Sequence, residues 1–196
     1  MPRRLVIVRH GQTEWSRTGR HTGRSDPPLE EAGRRQADVL GRRLAGHPYA
    51  EVLVSPRRRA AETCALAGFA AGAVECDDLR EWDYGAYEGL RTDDIRGERP
   101  GWSIWRDGVP EGEALDQVAA RADRVIARVR AEPAAGDVLA FAHAHILRVL
   151  GARWIGLAPA LGAQFVLDPG SISVLGYERE TPAVLRWNDT AGEPLG

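Results

Sequence analysis

The stretch Leu5-Val6-Ile7-Val8-Arg9-His10-Gly11-Gln12-Thr13-Glu14 decides how the rest of the chain is read. Four β-prone apolar residues run without interruption into an arginine, a histidine and a glycine. A short continuous apolar run of this kind reads as a strand buried on both faces, as in a parallel sheet. Ligand sites of open α/β sheets lie just beyond the carboxyl ends of such strands. Arg9 and His10 are therefore expected at the floor of a cleft, with Gly11 letting the backbone turn away. A histidine there, beside a permanently charged arginine, points to a nucleophile or base acting on an anion. The tripeptide alone fits a core histidine with satisfied hydrogen bonds equally well, so partners elsewhere in the chain must decide.

Composition narrows the classes. At 196 residues, with 43% hydrophobic and 28% charged content, the chain suits one soluble globular domain with a real core. A net charge of −2 offers no basic field for nucleic acid or an anionic membrane surface. None of the 26 basic residues is a lysine, which excludes Schiff-base chemistry and a P-loop lysine. Cys64 and Cys76 carry neither metal-ligand spacing nor a disulfide framework. Met1-Pro2-Arg3-Arg4 leads straight into the first strand, leaving no room for a signal peptide, and no apolar run approaches a membrane span. The expectation is a cytoplasmic protein; whether it forms a homo-oligomer stays open.

Along the chain, residues 15–28 mix Gly, Pro, Ser, Thr and Arg and read as a long polar loop. Residues 29–45 read as an amphipathic helix with Ala37, Leu40 and Leu44 as its apolar stripe, ended by Gly46-His47-Pro48, where His47 is a surface residue. Residues 51–54 form a second buried strand, and Ser55-Pro56 then starts a helix with serine as its cap. Arg57-Arg58-Arg59 cannot all point one way at about 100° per residue, so one of them can enter the cleft. Residues 72–76 form a short strand. Residues 77–113 are irregular and rich in acids and aromatics (Trp82, Asp83, Tyr84, Tyr87, Trp102, Trp105), with a short helix near 92–98, and read as a lid-like insertion over a cleft. Residues 114–131 form a long helix with Val118, Ala122, Val125, Ile126 and Val129 on one face, closed by Pro133, Gly136 and Asp137. Residues 138–142 are the third strand, and it too runs into histidine, His143-Ala144-His145. A helix over 146–156, a short one from Pro159, and strands over 171–177 and 183–187 at a sheet edge complete one domain, 1–196.

Parallel strands place their carboxyl ends together, so Arg9, His10, Arg59 and His143 can converge. Two guanidiniums and two imidazoles around one point match a phosphoryl group, with forked donors for its oxygens and a nucleophilic nitrogen. At this point the chain resembles the histidine phosphatase superfamily, which also contains the cofactor-dependent phosphoglycerate mutases. Arg9-His10-Gly11 stands where the family has its signature. Ser55-Pro56-x-x-Arg59-Ala60 is similar to the second motif, Leu79-x-Glu81-x-x-Tyr84-Gly85-x-x-Glu88-Gly89 to the acid motif, and His143 with Arg148 to the fourth. The ordered set covers nearly the whole chain.

The resemblance implies a three-layer α/β sandwich with a mostly parallel central sheet flanked by helices, as in phosphoglycerate mutase. It implies His10 as the phosphate-accepting nucleophile and Glu81 as the general acid, with Arg9, Arg59 and His143 completing the phosphate pocket. Gln12, Thr13, Ser16, Thr22, Gly23, Tyr84 and Ala144 are expected around the substrate, a small phosphate ester, with no metal and no cofactor. The mutases carry a basic pair after the acid and a further lysine; here Trp82-Asp83 occupies the first of those basic positions and lysine is absent. Thr22-Gly23-Arg24 and the run from Glu81 to Gly85 are instead similar to actinobacterial acid phosphatases and fungal sedoheptulose bisphosphatase, which favours hydrolysis over mutation. Three positions depart from the family pattern: Ser16 for asparagine, Glu113-Ala114 for Glu-Ser, and Ala144 for glycine. Two other classes compete. His143 and His145 can be read as two ligands of a zinc hydrolase, although Arg9 and Arg59 would repel the ion. A non-catalytic phospho-ligand binder on the same fold would not need all five chemical positions intact. His145 is left as a supporting or packed residue, and His21 as a loop residue that either touches substrate or, as the simpler reading, lies at the surface.

Overall fold

In the computed structural model, which describes residues 3–131 and 136–191, the opening apolar run forms β1 (Leu5–Arg9) inside a six-stranded sheet. The other strands are β2 (Tyr49–Val54), β3 (Ala73–Glu75), β4 (Asp137–Ala142), β5 (Ile172–Glu178) and β6 (Thr181–Asp189). Their spatial order is β3-β2-β4-β1-β5-β6. The first four strands pair in parallel, while β5 and β6 form an antiparallel hairpin added to β1. The helices are α1 (Glu14–Thr18), α2 (Glu31–Leu44), α3 (Arg58–Leu66), α4 (Thr92–Glu98), α5 (Ile104–Asp107), α6 (Leu115–Ala131) and α7 (Ala144–Trp154). Met1, Pro2 and the helix-closing Pro133 lie outside the described residues.

The three layers follow from strand alternation. Leu5 and Ile7 of β1, with Val138, Ala140 and Ala142 of β4, face the apolar stripe of α6 and Ile146, Leu147 and Leu150 of α7. Val6 and Val8, with Leu139 and Phe141, face Leu40 and Leu44 of α2 and Ala60 and Cys64 of α3. Every residue of β4 is buried, as a central parallel strand with helices on both sides requires. Among the described residues no helix is long and apolar enough to cross a membrane.

Register then sets up the site. Arg9 pairs with Ala142 across β1 and β4, and Val54 pairs with Phe141 across β2 and β4. The next residue on each strand, His10, His143 and Ser55, therefore leaves the sheet at one edge.

Four local expectations are corrected. Residues 15–28 are not all loop: Thr13 and Ser16 form a reciprocal capping box that starts α1, and Gly19 ends it with φ 74°. Ser55-Pro56 does not open α3, which begins at Arg58; the cap comes from Asp26, whose carboxylate accepts the Arg58 N–H at 2.6 Å. Gly11 is not needed for a left-handed turn. A Cβ there would lie 2.3 Å from the Gly33 carbonyl oxygen, and one on Gly33 would lie 2.2 Å from the Gln12 oxygen, so the two glycines let the first turn of α2 press onto the loop after β1. His47 is half-buried, with Nε2 2.7 Å from the Asp137 carboxylate.

Candidate active site

His10 is 4% exposed at the end of β1. Its Nδ1 lies 2.7 Å from the Gly11 carbonyl oxygen, which can only accept, so the ring proton sits on Nδ1. Nε2 keeps its lone pair, and the Arg59 Nε–H approaches it at 3.3 Å. Burial, with Arg59 and then Arg9 adding like charge, holds the His10 pKa well below the ordinary imidazole value of 6.5. The ring is therefore neutral at neutral pH.

Around it stand the other expected groups. Arg59, fully buried, is fixed by the Thr22 carbonyl at 2.8 Å, the Ser25 carbonyl at 2.9 Å and Asp26 at 3.2 Å. Of the three consecutive arginines it is the one wholly buried; Arg57 is half-buried and Arg58 is exposed. The His143 ring lies 5.2 Å from that of His10, edge to face, with Nε2 2.8 Å from the Ser55 hydroxyl. Arg9 bonds the Leu167 carbonyl. Burial pushes its pKa down to about 10, so it is still a cation at neutral pH. Among the described residues Arg9 Nε and His143 Nδ1 are buried with no hydrogen-bond partner, and an unmet buried donor such as the Arg9 Nε–H calls for an acceptor.

Glu81 faces this cluster from the irregular segment. Its Oε1 accepts N–H bonds from Trp82 and Ile146, both at 3.0 Å, and Oε2 accepts one from His145 at 3.0 Å. Two of those donors belong to the first turn of α7, where otherwise unpaired amides and the helix dipole receive a carboxylate. The loop carrying Glu81 is itself stapled: Arg121 bonds the Asp78 and Arg80 carbonyls at 2.8 Å and pairs with Glu113. Glu113 in turn accepts the Asp83 N–H at 3.2 Å.

Residues 5–190 match the histidine phosphatase superfamily, branch 1. The chain belongs to that superfamily. An acid phosphatase of Mycobacterium tuberculosis is 41% identical over 177 residues, covering 89% of this chain and 87% of that protein. A sedoheptulose 1,7-bisphosphatase of Saccharomyces cerevisiae is 40% identical over 185 residues, covering 79% of this chain and 68% of that protein. The solved structure of an open reading frame from Mycobacterium tuberculosis superposes with a TM-score of 0.89 at 37% identity, over 96% of this chain and 98% of that one.

In this histidine phosphatase the cluster opens into a cavity of about 420 Å³. Of the residues expected around substrate, Arg9, His10, Ser16, Thr22, Glu81, Tyr84 and Ala144 line it. Arg59 and His143 sit fully buried against His10, at its floor. Gln12, Thr13 and Gly23 are not among the lining residues. Gln12 is bonded to Glu30 and Gln36, Thr13 caps α1, and the Gly23 N–H goes to Glu88. Ser16 reaches the cavity while its hydroxyl is spent within the capping box.

Sequence reasoning missed Trp15, Arg20 and Arg96 and only partly placed other participants. His21, for which a surface position was the simpler reading, is 7% exposed and lines the cavity. His145 lines it too, its Nδ1 2.8 Å from the Tyr84 hydroxyl. Trp15, Trp102 and Trp105 form apolar walls, whereas Trp82 is fully buried in the core. Arg20, Arg96 and Arg148 complete the lining, and among the described residues none of the three pairs with a carboxylate. Other arginines on the surface do so, as Arg17 does with Glu30 and Arg124 with Asp78. A cavity with four arginines and the single carboxylate Glu81 on its lining is built for anions. Residues 77–113 supply Glu81, Tyr84, Thr92, Arg96 and Trp102–Trp105 to one wall.

Proposed function

We propose that the chain is a phosphomonoester hydrolase working through a phosphohistidine on His10, with residues 77–113 acting as a lid-like insertion of a single domain. The observation that carries this reading is the neutral His10 ring with its lone pair on Nε2, set among Arg9, Arg59 and His143. A phosphoryl group entering there would accept from the unmet Arg9 Nε–H and from His143. With the Ser55 hydroxyl donating to His143 Nε2, 2.8 Å away, the ring proton would sit on Nδ1, the atom without a partner among the described residues. Nε2 of His10 attacks phosphorus in line, and the bond to the ester oxygen breaks as Glu81 gives that oxygen a proton. Water then attacks phosphorus from the vacated side, losing its proton to Glu81 as the P–N bond breaks and inorganic phosphate forms. The arginines and His143 stabilise the charge spread over the equatorial oxygens in both steps.

Hydrolysis is favoured over transfer to a second hydroxyl by the residues after the acid. Trp82 is packed in the core with its indole N–H on the Glu113 carbonyl, and Asp83 is ion-paired with Arg24. Neither provides the basic pair that the mutases carry there. The relatives named acid phosphatase and sedoheptulose bisphosphatase support the same choice, and a small sugar phosphate suits the mixed aromatic and cationic lining. A cytoplasmic setting fits the free, buried Cys64 and Cys76, with burial pushing the Cys64 thiol up to about 11.

The test is release of inorganic phosphate from p-nitrophenyl phosphate and sugar phosphates in the presence of EDTA. Turnover is expected to survive chelation and to exceed any exchange between the 2- and 3-phosphates of glycerate. Loss of activity to EDTA with recovery on zinc, or a mutase rate above hydrolysis that needs 2,3-bisphosphoglycerate, would contradict the proposal.

A further inference from the structure

The two imidazoles that the chemistry above leaves unused, His21 and His145, lie stacked in the same cavity. Their ring centroids are 6.3 Å apart and their planes differ by 22°. Each has one nitrogen committed to the protein. His21 Nδ1 lies 2.8 Å from the Leu90 carbonyl oxygen, which can only accept, so the proton is on Nδ1 and Nε2 is an acceptor. His145 Nδ1 lies 2.8 Å from the Tyr84 hydroxyl. Tyr84 is 2% exposed, and burial holds its phenol proton well beyond the ordinary range. A phenol is the stronger donor and imidazole nitrogen the stronger acceptor, so Tyr84 donates and His145 carries its proton on Nε2. Among the described residues neither Nε2 has a protein partner. Burial keeps both rings neutral, lowering each pKa from the imidazole value.

We infer that His21 and His145 form a leaving-group subsite, one offering an acceptor and the other a donor, that selects phosphate esters of polyols. The ligand chemistry follows from the pair. A hydroxylated carbon chain both donates and accepts along one edge, so it satisfies both nitrogens. An alkyl or aryl group without hydroxyls would cover the two nitrogens and leave them unmet. Trp102 lies 5.6 Å from the His21 ring and Trp105 lies 5.3 Å from the His145 ring, giving apolar faces for the C–H side of the same group. The His145 backbone N–H holds Glu81, so the subsite adjoins the acid that must reach the ester oxygen. Tyr84 is a positioning residue in this arrangement: it fixes the tautomer of His145.

The inference rests on the hydrolase reading, and the experiment separates the two. Turnover of ribose 5-phosphate, fructose 6-phosphate and glycerol 3-phosphate is compared with that of n-pentyl phosphate, an alkyl ester without hydroxyls. At least one polyol ester is expected to exceed n-pentyl phosphate in kcat/KM by about tenfold or more, as expected where a site hydrogen-bonds a substrate hydroxyl. In His21→Phe and His145→Phe that ratio should fall by about three- to tenfold, and Tyr84→Phe should lower it less. A wild-type enzyme that hydrolyses these esters without preferring any polyol, or variants that leave the ratio unchanged, would overturn the subsite alone. Release of phosphate from none of them would overturn the hydrolase reading itself. Nitrogen-15 spectra of the wild-type ring signals give a readout independent of the variants and of turnover. His21 is expected as the Nδ1–H tautomer and His145 as the Nε2–H tautomer, and the opposite tautomer at either ring would also overturn the proposal.

Discussion

His10 and Glu81 are held by complementary devices: a carbonyl confines the imidazole proton to Nδ1, and three backbone N–H groups fix the carboxylate. If Glu81 is the acid, its replacement should hurt most where the leaving oxygen is most basic. Glu81→Gln is expected to slow phosphorylation by an alkyl phosphate by about 10²–10⁴-fold, and phosphorylation by p-nitrophenyl phosphate far less, since p-nitrophenolate leaves without a proton. The amide can still accept from Trp82 and Ile146 but places N–H against the His145 N–H. A stability loss of about 1–3 kcal/mol should therefore accompany the kinetic change. Equal slowing for both substrates would move the role to another acid. At this scale the sequence disclosed the residues with strong local signals, His10 and His143 after apolar runs and Arg59 within a turn of a helix. It did not disclose Asp26, and it named His21 and His145 without fixing what they do. Their roles depend on contacts across the chain, such as Asp26 with Arg59 and His145 with Tyr84, and no spacing rule encodes them.

The elements carry these residues by a few close approaches. The loop after β1 can hold Gln12 against α2 only because Gly33 has no side chain there. Gly33→Ala should therefore destabilise the fold by about 1–3 kcal/mol through overpacking, despite alanine's better helix propensity. Urea denaturation checks this, and an unchanged or raised midpoint would show that the loop can move aside. The strands and long helices were legible from apolar runs and stripes, and the stripe of α6 is buried as read. What escaped was punctuation. Ser55-Pro56 has the local chemistry of a helix start, yet the Ser55 hydroxyl serves His143 and α3 is capped from a distant loop. α1 was overlooked because its capping box lies within polar residues that otherwise read as coil.

For the molecule as a whole, three buried histidines (10, 21 and 143) and the half-buried His145 have pKa values lowered from 6.5, with desolvation the largest cause in each case. Below that value the unfolded chain binds protons that the folded chain refuses, so stability is full above pH 6.5 and falls as pH drops. Each group adds a slope of up to about 1.4 kcal/mol per pH unit. Thermal unfolding between pH 8 and pH 5 should show a steady loss of Tm over the acid part of the range; a flat or rising Tm below pH 6.5 would contradict the buried, neutral rings. The parallel sheet was readable from strands buried on both faces, whose aligned carboxyl ends predict convergence before any side chain is placed, while the three-layer architecture came from the family resemblance. The aromatic and cationic lining beyond the phosphate floor was only partly readable, since it is assembled from the loop after α1, residues 77–113, α7 and the segment before β5. In the proposed reaction every phosphoryl group passes through Nε2 of His10. Rapid quenching of the wild-type enzyme with ³²P-labelled substrate, analysed for acid-labile, base-stable phosphate on protein, tests it most directly. Label is expected on His10 within the first turnover, in a larger amount in Glu81→Gln during turnover of a substrate with a good leaving group, and not at all in His10→Ala. Label that persists in His10→Ala, or wild-type turnover with no labelled protein at any quench time, would contradict it.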